Sequence, residues 1–98
     1  MRRVEFTAHA QIQYRAAYRW YEAAQTGLGE QFADQIEQTL QRVDRNPAQF
    51  KIAAKQYRRI LLKRFPYEVF YEFNDDQIVI YAVFHTSQNP ERWETQLP

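Results

Sequence analysis

The chain has 98 residues, 45% hydrophobic and 16% aromatic, with 26% charged residues, a net charge of +1, two glycines and no cysteine. This length supports one domain with a modest core, and the aromatic content argues against a disordered or fibrous chain. Without cysteine there is no disulfide, thiolate metal site or cysteine nucleophile, and no run is long and apolar enough to span a membrane, so a single domain over residues 1–98 in the cytoplasm is expected.

In chain order, Val4-Glu5-Phe6 alternates as a short edge strand does, and Thr7 suits the N-cap of a helix from Ala8. Over Ala8–Ala24 the periodicity places Ile12, Ala16, Trp20 and Ala23 on one stripe with Tyr14, Ala17, Tyr18 and Tyr21 beside it, a broad apolar face. Thr26-Gly27-Leu28-Gly29 ends that helix and reverses the chain. From Leu28 to Arg45 the residues Leu28, Phe32, Ile36, Leu40 and Val43 recur at helical spacing, and Asn46-Pro47 stops the helix. Residues 48–56 then read as a loop.

Residues 58–85 read as three strands rich in Val, Ile, Phe and Tyr, separated by Phe65-Pro66 and by Asn74-Asp75-Asp76-Gln77. In the middle run Tyr67, Val69, Tyr71 and Phe73 share one side and Glu68, Phe70 and Glu72 the other, while the third run is apolar on both. Asn89-Pro90 resembles an N-cap followed by proline at the first helical position, opening a short turn through Trp93. The expectation is an α+β fold. A small antiparallel sheet, made of the N-terminal strand plus a C-terminal three-stranded meander, packs against a helical hairpin, in the order β-α-α-β-β-β with a short C-terminal helical turn.

Charge is unevenly distributed. Lys51, Lys55, Arg58, Arg59, Lys63 and Arg64 precede the next acid, Glu68, and such a block can face nucleic acid, an acidic partner or solvent. Regular strand geometry sends Arg58 and Arg59 to opposite faces. His85, at a strand end, suits either a hydrogen-bonded structural role or proton transfer. His9 has no ligand spaced with it, and no metal or cofactor is expected. Sixteen aromatic residues suit a small core in which each ring buries a large area.

Taken in order, Trp20-Tyr21, Leu28-Gly29 with Phe32, Ile36 and Leu40, Asn46-Pro47 with Phe50, Arg58-Arg59, Phe65-Pro66-Tyr67, the tract 78–85 and Asn89-Pro90-Glu91-Arg92-Trp93 resemble the RelE/ParE superfamily of bacterial type II toxin–antitoxin toxins, also called plasmid stabilisation proteins. The resemblance implies a growth-arresting toxin held in check by a co-encoded, ParD-like antitoxin that is partly disordered when free and folds on the toxin. Two branches follow from it. The ParE-like branch is associated with DNA gyrase inhibition and needs no chemistry of its own. The RelE-like branch is a ribosome-dependent mRNA endoribonuclease, whose catalytic set here would be Arg58, Lys63, Arg64 and His85. No tyrosine follows Tyr81, and the Phe65-Pro66-Tyr67 turn with the Phe84-His85 strand end favours the ParE-like branch. A non-toxic antitoxin-binding member is a third alternative. On this reading Arg58, Arg59, Lys63, Arg64 and Arg92 are candidate target contacts, and Tyr14, Tyr18, Tyr21, Tyr71 and Tyr81 are candidate anchors for an acidic amphipathic antitoxin helix. A homodimer and a toxin–antitoxin hetero-oligomer both fit.

Overall fold

A computed structural model describes residues 2–88 and 97. Strand β1 (Arg3–Phe6) leads into helices α1 (Ala8–Ala24) and α2 (Leu28–Arg45). A 3-10 turn (Pro47–Gln49) then precedes strands β2 (Lys51–Ala54), β3 (Tyr57–Leu61), β4 (Tyr67–Phe73) and β5 (Gln77–His85). The strands form one five-stranded sheet in the order β1-β5-β4-β3-β2, with the helical hairpin on one face.

Two features differ from the sequence expectation. The stretch 48–56 is not only loop, because β2 pairs antiparallel with β3 across a two-residue turn, Lys55-Gln56. Its short, Ala-containing sequence carries no alternation to announce it, and its edge position requires none. The sheet is also mixed: β1 lies parallel to β5, with Val4 beside Ile78 and Phe6 beside Ile80, since the hairpin returns the chain to the same end of the sheet. The short turn expected at Asn89-Pro90, with Trp93, lies outside the described residues.

The helices begin where local chemistry dictates. Thr7 Oγ1 accepts the Ala10 amide at 3.1 Å, which caps α1. Helix α2 starts at Gly27, whose φ of 89° suits glycine and whose missing side chain offers no cap. Glu22 of α1 supplies that cap instead, its carboxylate accepting the amides of Gly27 and Gly29, both at 3.0 Å. A negative group at a helix N-terminus satisfies orphan donors and complements the helix dipole.

On α2 the expected stripe is the packed one, with Phe32, Ile36 and Val43 buried and Leu28 and Leu40 half-buried. On α1 the packed residues are Ala10, Tyr14, Ala17 and Tyr21. The stripe expected through Ile12 and Trp20 instead faces outward, with those residues 68% and 67% exposed. Small Ala10 and Ala17 let α1 approach β5 closely, and the tyrosine rings fill the flanks, so size complementarity outweighs hydropathy in choosing the face.

Strand β5 is apolar on both sides because both sides are covered. Ile78, Ile80 and Val83 meet the helices, while Ala82 and Phe84 join Phe70 in a second cluster on the opposite face, packed by Ala53, Ala54 and Leu97. A bulge makes this possible. Phe70 opposes Ala82 while Tyr71 opposes Ile80, so Tyr81 is the extra residue that shifts the alternation of β5. Beyond the end of β1, the Val83 amide is met by Gln13 Oε1 of α1 at 2.9 Å.

The hairpin leaves no room at Gly29. A Cβ there would lie 2.9 Å from the Tyr18 carbonyl oxygen and 2.9 Å from Glu22 Oε1. Gly29→Ala should therefore destabilise the fold by about 2 kcal/mol through overpacking against backbone, read as a lowered urea midpoint with unchanged m-value. An unchanged midpoint would contradict the close approach.

Candidate functional site

The basic block does not form one surface. Arg58 opposes Tyr71 and shares its face, where its guanidinium donates to the Phe50 carbonyl at 2.7 Å and lies 5.9 Å from the Phe73 ring centroid. Arg59 opposes Phe70 on the other face and pairs with Glu68 at 3.6 Å. Lys63 and Arg64 lie in the β3–β4 loop. There Arg64 takes a φ of 73°, donates to Gln31 Oε1 at 2.8 Å and stacks 5.8 Å from the Phe65 ring centroid. Lys63 is exposed. Arg92, the fifth candidate target contact, lies outside the described residues.

That loop is shaped by proline. The Tyr67 amide donates to the Phe65 carbonyl at 2.8 Å across Pro66, a three-residue turn, and Leu62 N–H reaches the Tyr67 carbonyl at 2.9 Å. The Pro66 carbonyl accepts the Thr86 amide at 2.8 Å, which ties the loop to the end of β5. His85 therefore sits at the Lys63/Arg64 end of the sheet, its ring edge-on to Tyr67 with centroids 4.9 Å apart. The Ser87 backbone N–H donates to His85 Nδ1 at 3.0 Å. The Ser87 hydroxyl approaches the same nitrogen at 2.7 Å.

Arg58 stands apart from this end. It lies on the Tyr71 rung and His85 on the Tyr67 rung, four residues along β4, roughly 13 Å at strand spacing. Of the four residues suited to RNA cleavage, the structure gathers Lys63, Arg64 and His85 at one end and leaves Arg58 engaged elsewhere. Among the described residues no cluster of His, Asp and Glu is arranged to hold a metal.

The five tyrosines also divide. Tyr71 is fully buried, with its hydroxyl donating to the Pro47 carbonyl at 2.6 Å, and presents no surface. Tyr21 packs between Trp20, Phe32 and Phe65. Tyr18 hydrogen-bonds Glu30 across the hairpin. On the outer sheet face Tyr81 donates to Glu72 Oε1 at 2.7 Å and packs edge-on to Tyr57. Tyr14 lies half-buried between Phe6 and Phe32, with its edge toward an open groove.

Sequence reasoning missed that groove and its rim. Glu30, Asp34, Glu37 and Asp44 of α2 follow helical spacing on one side of the hydrophobic stripe, and this spacing was the available signal. It named the stripe of Ile12 and Trp20 as a packed face, whereas these residues lie on the solvent side of α1 with Arg15 and Arg19.

The ParE toxin family of type II toxin–antitoxin systems, named for parDE, matches residues 4–90. Among solved structures, one described as a chromosomal ParDE toxin–antitoxin system from P. aeruginosa superposes with a TM-score of 0.73 at 15% identity, covering 89% of this chain and 98% of that one. At that identity the likeness concerns the fold. No curated protein matches the sequence.

Burial pushes the Tyr71 hydroxyl up to about 12, against a smaller opposing pull from Arg58. Tyr81 is raised to about 12 by burial and by its bond to Glu72. A raised folded value means that the protonated form is favoured by folding. This stability is complete below the ordinary value of 10.0 and is lost as pH rises toward about 12. Urea melts across that interval should show a falling midpoint, with a shallower fall in Tyr71→Phe. The same variant should lose about 1 to 2 kcal/mol at neutral pH, because the buried Pro47 carbonyl loses its donor.

Proposed function

We propose, for a chain that belongs to the ParE toxin family of type II toxin–antitoxin systems, that it arrests growth by binding DNA gyrase and that a co-encoded antitoxin neutralises it. The observation that carries this reading is the separation of Arg58 from the Lys63, Arg64 and His85 end of the sheet. Cleavage of RNA needs positive groups converging on the phosphate and a side chain positioned to take a proton. Here Arg58 is held by the Phe50 carbonyl, roughly 13 Å along β4 from the end where Lys63, Arg64 and His85 lie. A toxin that works by binding requires no such convergence.

On this reading the target contact includes Lys63 and Arg64, which the Pro66 turn presents at the β5 end of the sheet. Arg59 contributes from the outer face, and Arg58 serves the fold. No helix among the described residues is long and apolar enough to cross a membrane, in keeping with action on a cytoplasmic target.

Expression without antitoxin discriminates the readings. Growth arrest should come with a DNA-damage response and intact mRNA. His85→Ala should leave both unchanged, while Lys63→Glu should weaken the arrest without lowering thermal stability. Ribosome-bound mRNA that is cut by the parent chain and spared by His85→Ala would assign the nuclease activity instead.

A further inference from the structure

Helix α1 presents a large ring to solvent where its own packing needs none. Trp20 is 67% exposed, beside the half-buried Tyr21 that carries the contact of α1 with the core at this level. The indole stands edge-on to the Tyr21 ring, 5.2 Å between centroids, so it has a fixed orientation although most of its surface is bare. Tyr21 in turn meets Phe65 at 4.9 Å and Tyr67 at 6.1 Å, and Tyr67 meets His85 at 4.9 Å. The Arg64 guanidinium lies 5.8 Å from the Phe65 ring centroid. One ring therefore separates Trp20 from the loop that carries Lys63 and Arg64, and all three belong to the same end of the molecule.

That end is cationic, and nothing local offsets it. Arg19, next to the indole, and Lys63 are exposed and have no acidic partner among the described residues. Arg64 donates to the neutral Gln31, which leaves its charge in place. The acids on the adjoining segments are each engaged. Glu22 accepts the Gly27 and Gly29 amides, Glu30 accepts the Tyr18 hydroxyl, and Glu68 pairs with Arg59 on the opposite face of the sheet. A lone exposed apolar residue needs no explanation. An oriented indole among cations whose neighbouring acids are all taken up has the composition of an interface hot spot, where Trp and Arg carry most of the binding energy.

Resting on the gyrase reading above, we propose that Trp20 is the apolar anchor of the contact with gyrase. It enters a cleft on that enzyme whose rim is acidic, and Arg19, Lys63 and Arg64 pair with the rim. An indole buries roughly 150 to 250 Å², and because Tyr21 already holds this one, little side-chain freedom is lost on docking. The cations set the orientation and rate of encounter. Charge and shape together select the occupant. A second copy of the chain would bring Arg19 and Lys63 against like charges. A DNA duplex would pair with the cations but would have to unstack its bases to receive the indole. An acidic protein cleft satisfies both demands.

The test measures binding of the antitoxin-free chain to purified gyrase at two salt concentrations, for the wild type, Trp20→Ala, Trp20→Phe, Arg19→Glu and Ile12→Ala. Trp20→Ala should lose at least about tenfold in affinity, and Trp20→Phe should recover part of it. Arg19→Glu should weaken binding and reduce its salt dependence. Ile12 is as exposed as Trp20, at 68%, but lies eight residues earlier on α1, roughly 12 Å back along the axis, so Ile12→Ala should bind like the wild type. Circular dichroism melts of all four variants should stay close to the wild type, because the substituted side chains are exposed. A folded wild-type chain that does not bind gyrase overturns the gyrase reading and the anchor together. Wild-type binding with undiminished affinity in Trp20→Ala overturns the anchor alone. Equal losses in Ile12→Ala and Trp20→Ala spread the contact along α1 and overturn its placement at the loop end. Trp20-dependent binding of duplex DNA without gyrase, or an antitoxin-free dimer broken by Trp20→Ala, gives the ring to another occupant and overturns the proposal.

Discussion

The Glu22 carboxylate decides where α2 goes. It reaches across the hairpin from the last turn of α1 to the amides of Gly27 and Gly29, giving α2 the N-terminal cap that a glycine N-cap cannot provide. Gly29 then lies so close to the Tyr18 carbonyl that the helices have one compatible spacing. With that end pinned, Phe32 reaches the ring cluster of Tyr21, Phe65 and Tyr67, and Arg64 finds Gln31. The loop bearing Lys63 is thus positioned through the same hairpin closure that starts α2.

The other end of α2 is held by Arg2, which donates to the Asp44 carbonyl at 2.9 Å and to the Asn74 carbonyl at 2.8 Å. Between these two attachments α2 stands away from β1 rather than covering it, and the groove is the space that results. Pinning a helix at both ends while leaving its middle open keeps apolar surface available without loosening the fold. The acids on that open side help keep the free edge from pairing with the wrong chain, since an edge strand without charges nearby is a template for aggregation.

The sequence revealed most where a single local rule operated. The Thr7 cap, the stop at Asn46-Pro47 and the packed stripe of α2 follow from chemistry within a few residues. The Asn74 turn does too, its side chain accepting the amides of Asp76 and Gln77. Legibility failed where distant partners decided. The buried face of α1 depends on the tolerance of β5 for Ala10 and Ala17, and strand β2 exists because β3 offers it a partner. The parallel pairing of β1 depends on the return path of the hairpin. Site residues were legible as types and not as a constellation. Arg58 and His85 are plausible members of one site in the sequence, yet the register sets them four residues apart along β4. Likewise Tyr71 is indistinguishable from the exposed tyrosines until its hydroxyl is found on the Pro47 carbonyl.

Arg2, Glu22, Arg58 and Tyr71 are thus engaged within the fold, while Lys63 at one end and the β1–α2 groove at the side stay open to solvent. The central claim is that toxicity comes from binding gyrase. The most direct test is a supercoiling and cleavage-complex assay with purified gyrase and the antitoxin-free chain, with Phe32→Asp as a core-disrupted control. The account predicts that supercoiling stops and cleaved DNA accumulates with the folded chain and not with the control. Normal supercoiling in the presence of a folded chain that still arrests growth would contradict it.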